Sequence, residues 1–386
     1  MEKDIGNVNP RVMHVVPSLE NGGLQRAVLD LVDNVPDVEM SVAAINSGGD
    51  YQSDFEKRCP TIVIGNEDGD PHRTYTWFRP GPILRLAREM KALQPNIVQT
   101  HTFGAATVGR AAAKLAGIPV VIDTLHNTYT WKDSHVLRID RFLERWTDKI
   151  VCVSGAVMDY SIQQNPAIPV SKYTVIHNGV DINRFHPRRN RTELHERFGI
   201  AEGELVVGSV SRLVKQKRTK DLVAAAPDIL NKHPTTRFLI AGEGPTSTEL
   251  KEQVRTLGLM DRFIFSGTLD DTQNIYPTLD VFAQTAEREG FGLSLAEAMA
   301  SGTAVVAANT GAIPELVREG ENGLLYGVGE VSALANAINE LLANKGKRDE
   351  IGKQAAYDIA TNFNMSSVPD KYRQLWYSLL QNSIRG

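Results

Sequence analysis

The chain has 386 residues, of which 42% are hydrophobic and 23% are charged, and its formal net charge is −4 at pH 7. Because this length exceeds one average domain of about 150 residues and the apolar fraction can fill a core, we expect two folded domains and no disordered chain. The mildly acidic balance argues against nucleic acid as a partner, since nucleic-acid binding needs a basic surface.

The cysteines and the hydropathy indicate the cellular setting. Two cysteines, Cys59 and Cys152, cannot build a disulfide framework, and the apolar run Ile150–Val153 favours a buried, hydrophobic role for Cys152. No stretch reaches about 18 uninterrupted apolar residues, as a transmembrane helix requires. The N-terminus lacks the basic and then apolar segments of a signal peptide. We therefore expect a cytoplasmic protein.

Short apolar runs alternate with amphipathic stretches along the first half of the chain. Most runs are rich in Val and Ile and carry few charges, which is typical of parallel strands covered on both faces. The predicted strands are Arg11–Val16, Met40–Ile45, Thr61–Ile64, Ile97–His101, Val120–Leu125, Lys149–Ser154 and Tyr173–His177. Helical patterns lie between several of them, at Leu24–Val35, Pro82–Leu93, Ala105–Ala116 and Val136–Trp146. This alternation predicts a doubly wound α/β domain.

The same alternation starts again in the second half, without any repeat of sequence. The predicted strands are Leu205–Ser209, Arg237–Ala241, Phe263–Ser266, Val281–Gln284, Ala304–Ala307 and Gly323–Tyr326, with helices such as Thr219–Asn231 and Ser247–Leu257 between them. Two such domains that face each other place the carboxyl ends of two parallel sheets around one central cleft, where ligands of open α/β sheets bind.

The interval between the two halves, Asn178–Gly203, is polar and rich in turn residues, so we interpret it as the domain junction. A short helix is expected at Thr192–Phe198. Its basic segment, Arg188–Arg191, fits a solvated linker, and a membrane-surface contact is the alternative.

Two patterns at strand ends, one of glycines and one of cations, are candidate anion-binding sites. Gly22 and Gly23 follow the first strand, where paired glycines let the backbone approach a ligand and the next helix offers its amides, although a tight turn fits equally well. Arg212 and Lys217 follow the first strand of the second domain, and two fixed cations there suit a diphosphate. Further cations surround them, so the pattern alone favours a solvated charged face over phosphate binding.

The segment Glu287–Gly302 carries the strongest pattern, because a glycine-rich loop leads into a strong helix former. Ser294 suits the N-cap or the first turn of this helix, and Gly302 ends it. Free amides around Phe291–Ser294 are expected to meet an anion at the helix N-terminus. Glu289 and Glu297 beside an anion site are acceptors for paired hydroxyls, as a sugar and a ribose present them. The alternative places Glu297 on an exposed helix surface.

Two histidines end adjacent predicted strands. His101 ends Ile97–His101 and His126 follows Val120–Leu125, so both are expected at the mouth of the cleft. A lone histidine is usually structural, whereas two at neighbouring strand ends favour a functional role. The sequence contains no H-E-x-x-H motif and no clustered aspartates, so we predict no metal.

The segment EGFGLSLAEAMASG, followed by Ile313-Pro314-Glu315, resembles the C-terminal domain of retaining GT-B glycosyltransferases of family 4 (glycosyl transferases group 1). The other matching segments fall in the family's order: GGLQRAVLDLV, Thr124–His126, His177–Asp181, Ser211-Arg212 with Lys217, and Gly320–Leu325. The resemblance implies a GT-B fold with residues 1–180 as an acceptor-side domain, 181–203 as a linker and 204–365 as the nucleotide-sugar domain. A C-terminal helix, 366–386, would pack back on the first domain.

The resemblance also implies a role for each candidate residue. Glu289 would contact the donor sugar, Glu297 would bind the ribose, and His126 would lie beside the transferred sugar. Arg212 and Lys217 would neutralise the diphosphate. Further contacts to the nucleotide would come from Gly22, Gly23, Phe291, Gly292, Leu293, Ser294, Gly267, Thr268 and Leu269. Ser211 departs from the family pattern, because glycine is usual before the arginine.

The function implied is transfer of a hexosyl group from a UDP- or GDP-linked sugar to a hydroxyl of a saccharide or lipid-linked acceptor. It would proceed with retention and without a metal or other cofactor, in surface polysaccharide or glycolipid synthesis. The alternatives are a sugar-nucleotide epimerase or phosphorylase of the same fold, and a non-catalytic sugar-nucleotide binder. Four cations lie on or near one first-domain helix (Arg138, Arg141, Arg145 and Lys149), with Trp131 and Trp146 nearby. This pattern favours an ordinary solvated helix face, and a peripheral contact with the inner face of the membrane is the alternative.

Overall fold

A computed structural model describes residues 9–65, 80–128, 134–187, 196–269 and 271–385. The chain divides into two compact units, one made of Met1–Asn178 with Ser366–Gly386 and the other of Gly179–Met365. Three predicted features lie wholly or partly outside the described residues: Trp131, the basic segment Arg188–Arg191 and the first four residues of the junction helix. The described end of that helix, 196–198, is helical.

The first unit is built on a seven-stranded sheet in which every pairing is parallel, in the order β3-β2-β1-β4-β5-β6-β7. Its strands are β1 (Arg11–Ser18), β2 (Glu39–Ser47), β3 (Thr61–Val63), β4 (Ile97–His101), β5 (Val120–Leu125), β6 (Lys149–Cys152) and β7 (Tyr173–Val175). Its helices are α1 (Gly23–Asn34), α2 (Gln52–Glu56), α3 (Pro80–Leu93), α4 (Phe103–Ala116), α5 (Ser134–Leu143) and α6 (Gly155–Gln164).

The second unit repeats this architecture on a six-stranded parallel sheet in the order β10-β9-β8-β11-β12-β13. Its strands are β8 (Val206–Val210), β9 (Arg237–Ala241), β10 (Phe263–Gly267), β11 (Val281–Gln284), β12 (Ala304–Ala308) and β13 (Leu324–Tyr326). Its helices are α7 (Thr219–Lys232), α8 (Ser247–Thr256), α9 (Thr272–Ile275), α10 (Leu293–Ala300), α11 (Ile313–Leu316), α12 (Val331–Ala343) and α13 (Lys345–Asn362).

The apolar runs of the sequence form the central strands because helices cover both faces of each sheet. All five residues of β4 and of β12 are buried, as a doubly covered parallel strand requires. In the first unit, Met13 and Val98 pack towards α3 and α4, and Val16 and Val42 pack towards α1. The central strands are therefore largely apolar on both faces, and most polar residues are left to the loops at the strand ends.

The last helix, α14 (Val368–Arg385), belongs to the first unit. Its Trp376 is fully buried and donates a hydrogen bond from Nε1 to Oε1 of Gln99 at 3.0 Å. Gln99 in turn donates to Oγ1 of Thr124 at 3.0 Å. The helix is thus fixed to the sheet through a buried polar layer.

The described part of 181–203, which we expected to be a linker, belongs to the second unit. Phe185 and Ile200 are buried there, and Val180 forms a bridge with Asn364. Arg184 donates two hydrogen bonds to Oε1 of Gln273, at 3.1 and 2.9 Å. This stretch therefore packs on the second unit and is not a free tether.

Candidate functional site

Glu289 and Glu297 lie on the segment that leaves β11 and enters α10. Gly292 precedes the first turn of α10 with a φ of 95°, a left-handed conformation that favours glycine. Gly292 is therefore the N-cap, and Ser294, our candidate for the cap or the first turn, occupies the first turn. Gly302, with a φ of 75°, ends the helix as its position in the sequence predicted.

The N-terminus of α10 presents backbone donors. The first amides of any helix lack partners within the helix, and the helix dipole favours an anion there. Leu293 and Ser294 are partly exposed, whereas Phe291 is buried and packs edge-to-face against Phe363 with 5.8 Å between ring centroids. The amides of Leu293 and Ser294 can therefore receive an anion, and the Phe291 side chain holds the loop to the core.

Glu289 is fixed by a cation and an amide. Nζ of Lys217 donates to Oε2 of Glu289 at 2.6 Å, and Nε2 of Gln284 donates to the same oxygen at 3.3 Å. The side chains of Lys217 and Glu289 are only 21% and 13% exposed, so the pair is partly desolvated. An ammonium has three donors, which leaves two on Lys217 for a ligand.

The turn that carries Lys217 is docked on the loop that carries Glu289. The amide of Glu287 donates to the carbonyl of Gln216 at 3.0 Å, and Nε2 of Gln216 donates to the carbonyl of Arg288 at 3.1 Å. Thr285 Oγ1 donates to the carbonyl of Lys217 at 2.8 Å. These bonds hold two segments together that lie 72 residues apart in the chain.

Glu297 accepts a hydrogen bond from a buried tyrosine that the sequence did not indicate. The hydroxyl of Tyr276 donates to Oε2 of Glu297 at 2.8 Å. Burial, together with the Glu297 carboxylate, raises the pKa of Tyr276 well above its usual value, so the hydroxyl keeps its proton. Glu297 is half-buried and oriented, and the reading of it as a freely exposed surface residue does not hold.

Arg212 lies in the loop after β8 and its side chain is exposed. Among the described residues it makes no side-chain hydrogen bond or ion pair, so its guanidinium is available to a ligand. The backbone before it approaches a neighbouring loop closely, since a Cβ on Gly242 would lie 2.0 Å from the carbonyl oxygen of Ser211. The amide of Ser211 also donates to the carbonyl of Ala241 at 3.0 Å.

Gly267, Thr268 and Leu269 form the end of β10 and the turn after it. The amide of Gly242 donates to the carbonyl of Gly267 at 2.8 Å, so this turn adjoins the loop that packs on Ser211. Thr268 is exposed and Leu269 half-buried. The structure thus places these three residues at the same edge of the sheet as Arg212.

Arg218, from the same basic run, has a structural contact. Its Nε donates to Oδ2 of Asp221 at 2.7 Å, in the first turn of α7. The run is therefore not uniform, because Arg218 is bound within the unit whereas Lys215 and Lys220 are exposed.

In the first unit, the two predicted histidines are in direct contact. Nδ1 of His101 lies 2.8 Å from Nε2 of His126, and Nε2 of His101 lies 3.0 Å from Nδ1 of a third histidine, His14. Burial lowers the pKa of His14 to about 3 and that of His126 to about 4, and it lowers the pKa of His101 well below the usual value. All three rings are therefore neutral at pH 7. The sequence did not indicate His14, because it lies inside an apolar strand pattern.

Gly22 and Gly23 lie between β1 and α1. Gly22 caps α1 with extended backbone, φ −173°, and its carbonyl accepts a hydrogen bond from the amide of Arg26 at 3.0 Å. Neither glycine has a positive φ, so backbone conformation alone does not require glycine here. A Cβ on Gly22 would lie 2.7 Å from Oε1 of Gln25, so a side chain there would displace the Gln25 amide.

The cations near α5 are partly engaged within the first unit. Nε of Arg141 donates to Oδ1 of Asn165 at 2.7 Å, and Nζ of Lys149 donates to the carbonyl of Ser171 at 2.8 Å. The guanidinium of Arg145 lies over the ring of Phe142, 5.6 Å from its centroid. Phe142 is 51% exposed, so an aromatic and a cation share the outer surface here.

The described ranges contain neither a metal-binding cluster nor a membrane-spanning helix. Within them, no group of three or more His, Cys, Asp or Glu side chains could hold a metal ion. In the same part of the chain, the helices are too short or too polar to span a bilayer.

Comparison with known families accounts for both units. A family model described as Glycosyltransferase Family 4 matches residues 21–184, and one described as Glycosyl transferases group 1 matches residues 190–357. The lipopolysaccharide core biosynthesis mannosyltransferase LpsB of Rhizobium meliloti is 35% identical over 248 residues, which are 62% of this chain and 68% of that protein. The UDP-Gal:alpha-D-GlcNAc-diphosphoundecaprenol alpha-1,3-galactosyltransferase of Escherichia coli is 28% identical over 310 residues, 78% of this chain and 80% of that protein.

A solved structure extends the similarity to the fold. The crystal structure of HepE from Anabaena in complex with UDP-glucose is 25% identical, covers 95% of this chain and 99% of its own, and superposes with a TM-score of 0.84. The predicted fold class and family are thereby confirmed. The chain is a group 1 glycosyltransferase of family 4, and its two Rossmann-like units are those of the GT-B fold.

Proposed function

We propose that this glycosyltransferase transfers a hexosyl group, with retention and without a metal, from a UDP- or GDP-linked sugar to a hydroxyl acceptor. The observation that carries the proposal is the ion pair between Lys217 and Glu289 beside the N-terminus of α10. It puts a cation, a carboxylate and free amides within one loop cluster. The cation and the amides suit the phosphates of a sugar diphosphate, and the carboxylate suits its hydroxyls.

The chemistry follows from charge. The leaving nucleoside diphosphate gains negative charge in the transition state, and Arg212, the two remaining donors of Lys217 and the amides of Leu293 and Ser294 stabilise it. These groups do what a divalent metal does elsewhere. Glu289 is the acceptor for donor-sugar hydroxyls and stabilises developing positive charge, and Glu297 is the acceptor for ribose hydroxyls. The acceptor attacks on the face that the phosphate leaves, and the departing phosphate takes the proton.

A ligand screen tests the donor. UDP, GDP, ADP and their sugars are added in turn, and the midpoint of thermal unfolding is recorded, because a ligand that binds the folded state raises it. We expect a rise with UDP or GDP and their sugars that persists in EDTA. No shift with any of these nucleotides contradicts the proposal.

Variants test the site. Glu289→Gln and Arg212→Ala are each expected to lower kcat/KM for sugar transfer by 100-fold or more, roughly the cost of a lost transition-state contact. Lys220→Ala is the matched control for the cations, since Lys220 is exposed in the same basic run. Wild-type transfer by either folded site variant would show that the residue is not part of the site. Product analysis without acceptor, and with added phosphate, separates transfer from epimerisation and phosphorolysis.

For the acceptor we propose a saccharide or lipid-linked hydroxyl in surface polysaccharide or glycolipid synthesis, in the cytoplasm. The named functions of LpsB and of the Escherichia coli galactosyltransferase support this choice. A peripheral membrane contact through Phe142 and Arg145 fits a lipid-linked acceptor. We expect sedimentation with anionic vesicles that decreases in Phe142→Ser; equal sedimentation of both proteins would exclude this surface.

A further inference from the structure

Three histidine rings form a continuous hydrogen-bonded row in the first unit. His14 lies in β1, His101 ends β4 and His126 follows β5, and the register of the sheet places all three on one face. Each contact joins unlike nitrogens: Nδ1 of His14 to Nε2 of His101 at 3.0 Å, and Nδ1 of His101 to Nε2 of His126 at 2.8 Å. The buried end is His14, 0% exposed, and the other end, His126, is half-buried.

The row links the tautomers of the three rings. A neutral imidazole carries one N–H and one bare nitrogen, and each hydrogen bond in the row needs one of each. Both bonds can therefore form in two ways only. Either all three rings carry the proton on Nδ1, with His14 donating to His101 and His101 to His126, or all three carry it on Nε2 and the direction reverses.

The buried end selects between these two arrangements. Nε2 of His14 is buried and has no hydrogen-bond partner among the described residues. The all-Nε2–H arrangement would leave a buried N–H unpaired at this atom, whereas the all-Nδ1–H arrangement leaves a bare nitrogen. Among buried backbone groups, an N–H without an acceptor is rarer than an acceptor without a full set of donors, and we apply the same preference to the imidazole nitrogens. Because burial keeps every ring neutral at pH 7, no imidazolium interrupts the row.

We propose that His14 and His101 are positioning residues that fix His126 as the Nδ1–H tautomer, so that its outer nitrogen presents a donor to a bound sugar. The donor role rests on the proposed function, because it requires the sugar to lie beside His126. The complementary ligand group is an uncharged acceptor, a hydroxyl or ring oxygen, since a neutral ring gives direction but little charge. If His126 were released from the row, its Nδ1 would be bare about as often as protonated. A bare Nδ1 would repel the same sugar oxygen.

The first test is spectroscopic and independent of activity. The protein is labelled with ¹⁵N-histidine, two-bond ¹H–¹⁵N spectra are recorded at pH 7 without ligand, and signals are assigned by single substitutions. We expect a bare Nε2 and a protonated Nδ1 in His14, His101 and His126. A protonated Nε2 in all three rings would mean that the hydrogen bonds run in the opposite direction, which overturns the proposal. Different tautomers among the three rings would show that the row does not couple them, which overturns it as well.

The second test separates positioning from structure. His101→Asn keeps an N–H near the position of Nδ1, whereas His101→Leu removes every donor. We expect His101→Leu to release the His126 tautomer and to lower kcat/KM for sugar transfer roughly tenfold, about the value of one neutral hydrogen bond. His101→Asn should recover most of the loss. The affinity for free UDP, measured by titration calorimetry, should change less than about twofold in both, since the nucleotide groups that we assigned by residue lie mainly in the second unit.

Equal losses in the leucine and asparagine variants would mean a structural role and would overturn the proposal. If the wild-type protein binds and transfers no nucleotide sugar, the proposed function fails. The tautomers seen in the ligand-free spectra then still decide whether the row holds His126 as the donor.

Discussion

Tyr276 holds the carboxylate of Glu297 through a hydrogen bond. Its hydroxyl is buried and donates to Oε2 at 2.8 Å. Tyr276→Phe removes a hydrogen bond to a charged acceptor, which is worth about 1.5–3 kcal/mol. We therefore expect binding of UDP, measured by calorimetry, to weaken by about tenfold or more.

The ligand and a control sharpen this prediction. If Glu297 binds the ribose, 2′,3′-dideoxy-UDP should lose little affinity in Tyr276→Phe, because it lacks the hydroxyls. Tyr357→Phe is the control, since Tyr357 is 65% exposed. An equal loss for both ligands would assign Tyr276 to general packing and not to Glu297.

His14 should make the stability of the first unit depend on pH. Its folded pKa is lowered to about 3 by burial, whereas the unfolded value is about 6.5. Between these values the unfolded chain binds a proton that the folded chain does not, so the free energy of unfolding decreases as pH falls. One such group contributes about 1.4 kcal/mol per pH unit.

His14→Leu removes this contribution. In urea titrations between pH 6 and pH 4, the variant should lose less stability than the wild-type chain. Above pH 7.5 the two free-energy curves should run parallel, which serves as the internal control. Equal slopes below pH 6 would show that His14 is not held neutral in the folded state.

At the scale of residues, the sequence indicated the groups but not their partners. Glu289, Glu297, Arg212, Lys217 and the two strand-end histidines were all named from it, and their roles stay predictions. The contacts of Glu289 with Lys217 and of Glu297 with Tyr276 span 72 and 21 residues. No local pattern encodes such a pairing, because tertiary packing creates it. His14 was missed for a related reason, since one polar residue in a buried strand looks like an interruption.

Gly311 lies where the segment before α11 approaches the backbone of Glu289. It has a φ of 52°, and a Cβ there would lie 2.1 Å from the carbonyl oxygen of Glu289. The amide of Ala312 donates to that same oxygen at 3.0 Å. The approach of the segment before α11 therefore fixes the backbone at the catalytic candidate.

Gly311→Ala should destabilise the second unit by more than about 2 kcal/mol and should lower sugar transfer. Gly258→Ala separates the two causes, because Gly258 has a φ of 69° but a Cβ added there would meet no atom within 4 Å. That control should cost only about 1 kcal/mol, the conformational share, and should keep full transfer. Urea unfolding and transfer rates check both variants. Equal losses of stability and of transfer in the two would show that the close approach to Glu289 is not important.

At the scale of elements, apolar runs located the described strands closely. Ile97–His101, Val120–Leu125, Arg237–Ala241 and Val281–Gln284 have the predicted bounds, since each run is buried on both faces. Helix starts were less accurate. Propensity left Ser294 as either the N-cap or a first-turn residue of α10. The structure puts it in the first turn, after the left-handed N-cap Gly292, and composition could not decide between the two because it does not encode backbone conformation.

Trp376 is expected to hold α14 to the first unit alone. It is fully buried beside His14, with 6.3 Å between ring centroids, and it donates to Gln99. Trp376→Ala should cost about 3–5 kcal/mol. All four tryptophans, at 77, 131, 146 and 376, lie in the ranges of the first unit, so tryptophan fluorescence reports that unit selectively.

The prediction is a lower urea midpoint by fluorescence in Trp376→Ala, with hydrogen exchange in 204–365 unchanged. Gln374→Ala, an exposed position on the same helix, is the control. A fall in protection across both units would mean that Trp376 stabilises more than the unit to which it belongs.

The assignment of α14 to the first unit has a consequence for synthesis on the ribosome. Trp376 contacts Gln99 across 277 positions of sequence, so the first unit lacks its final helix until translation has passed Met365. The whole of the second unit emerges during that interval and can fold first. The surface that α14 later covers carries Gln99, Thr124 and the histidine row. These polar side chains can form hydrogen bonds with water until then. Until α14 docks, this buried layer is incomplete, because Gln99 lacks the hydrogen bond that Trp376 donates to it.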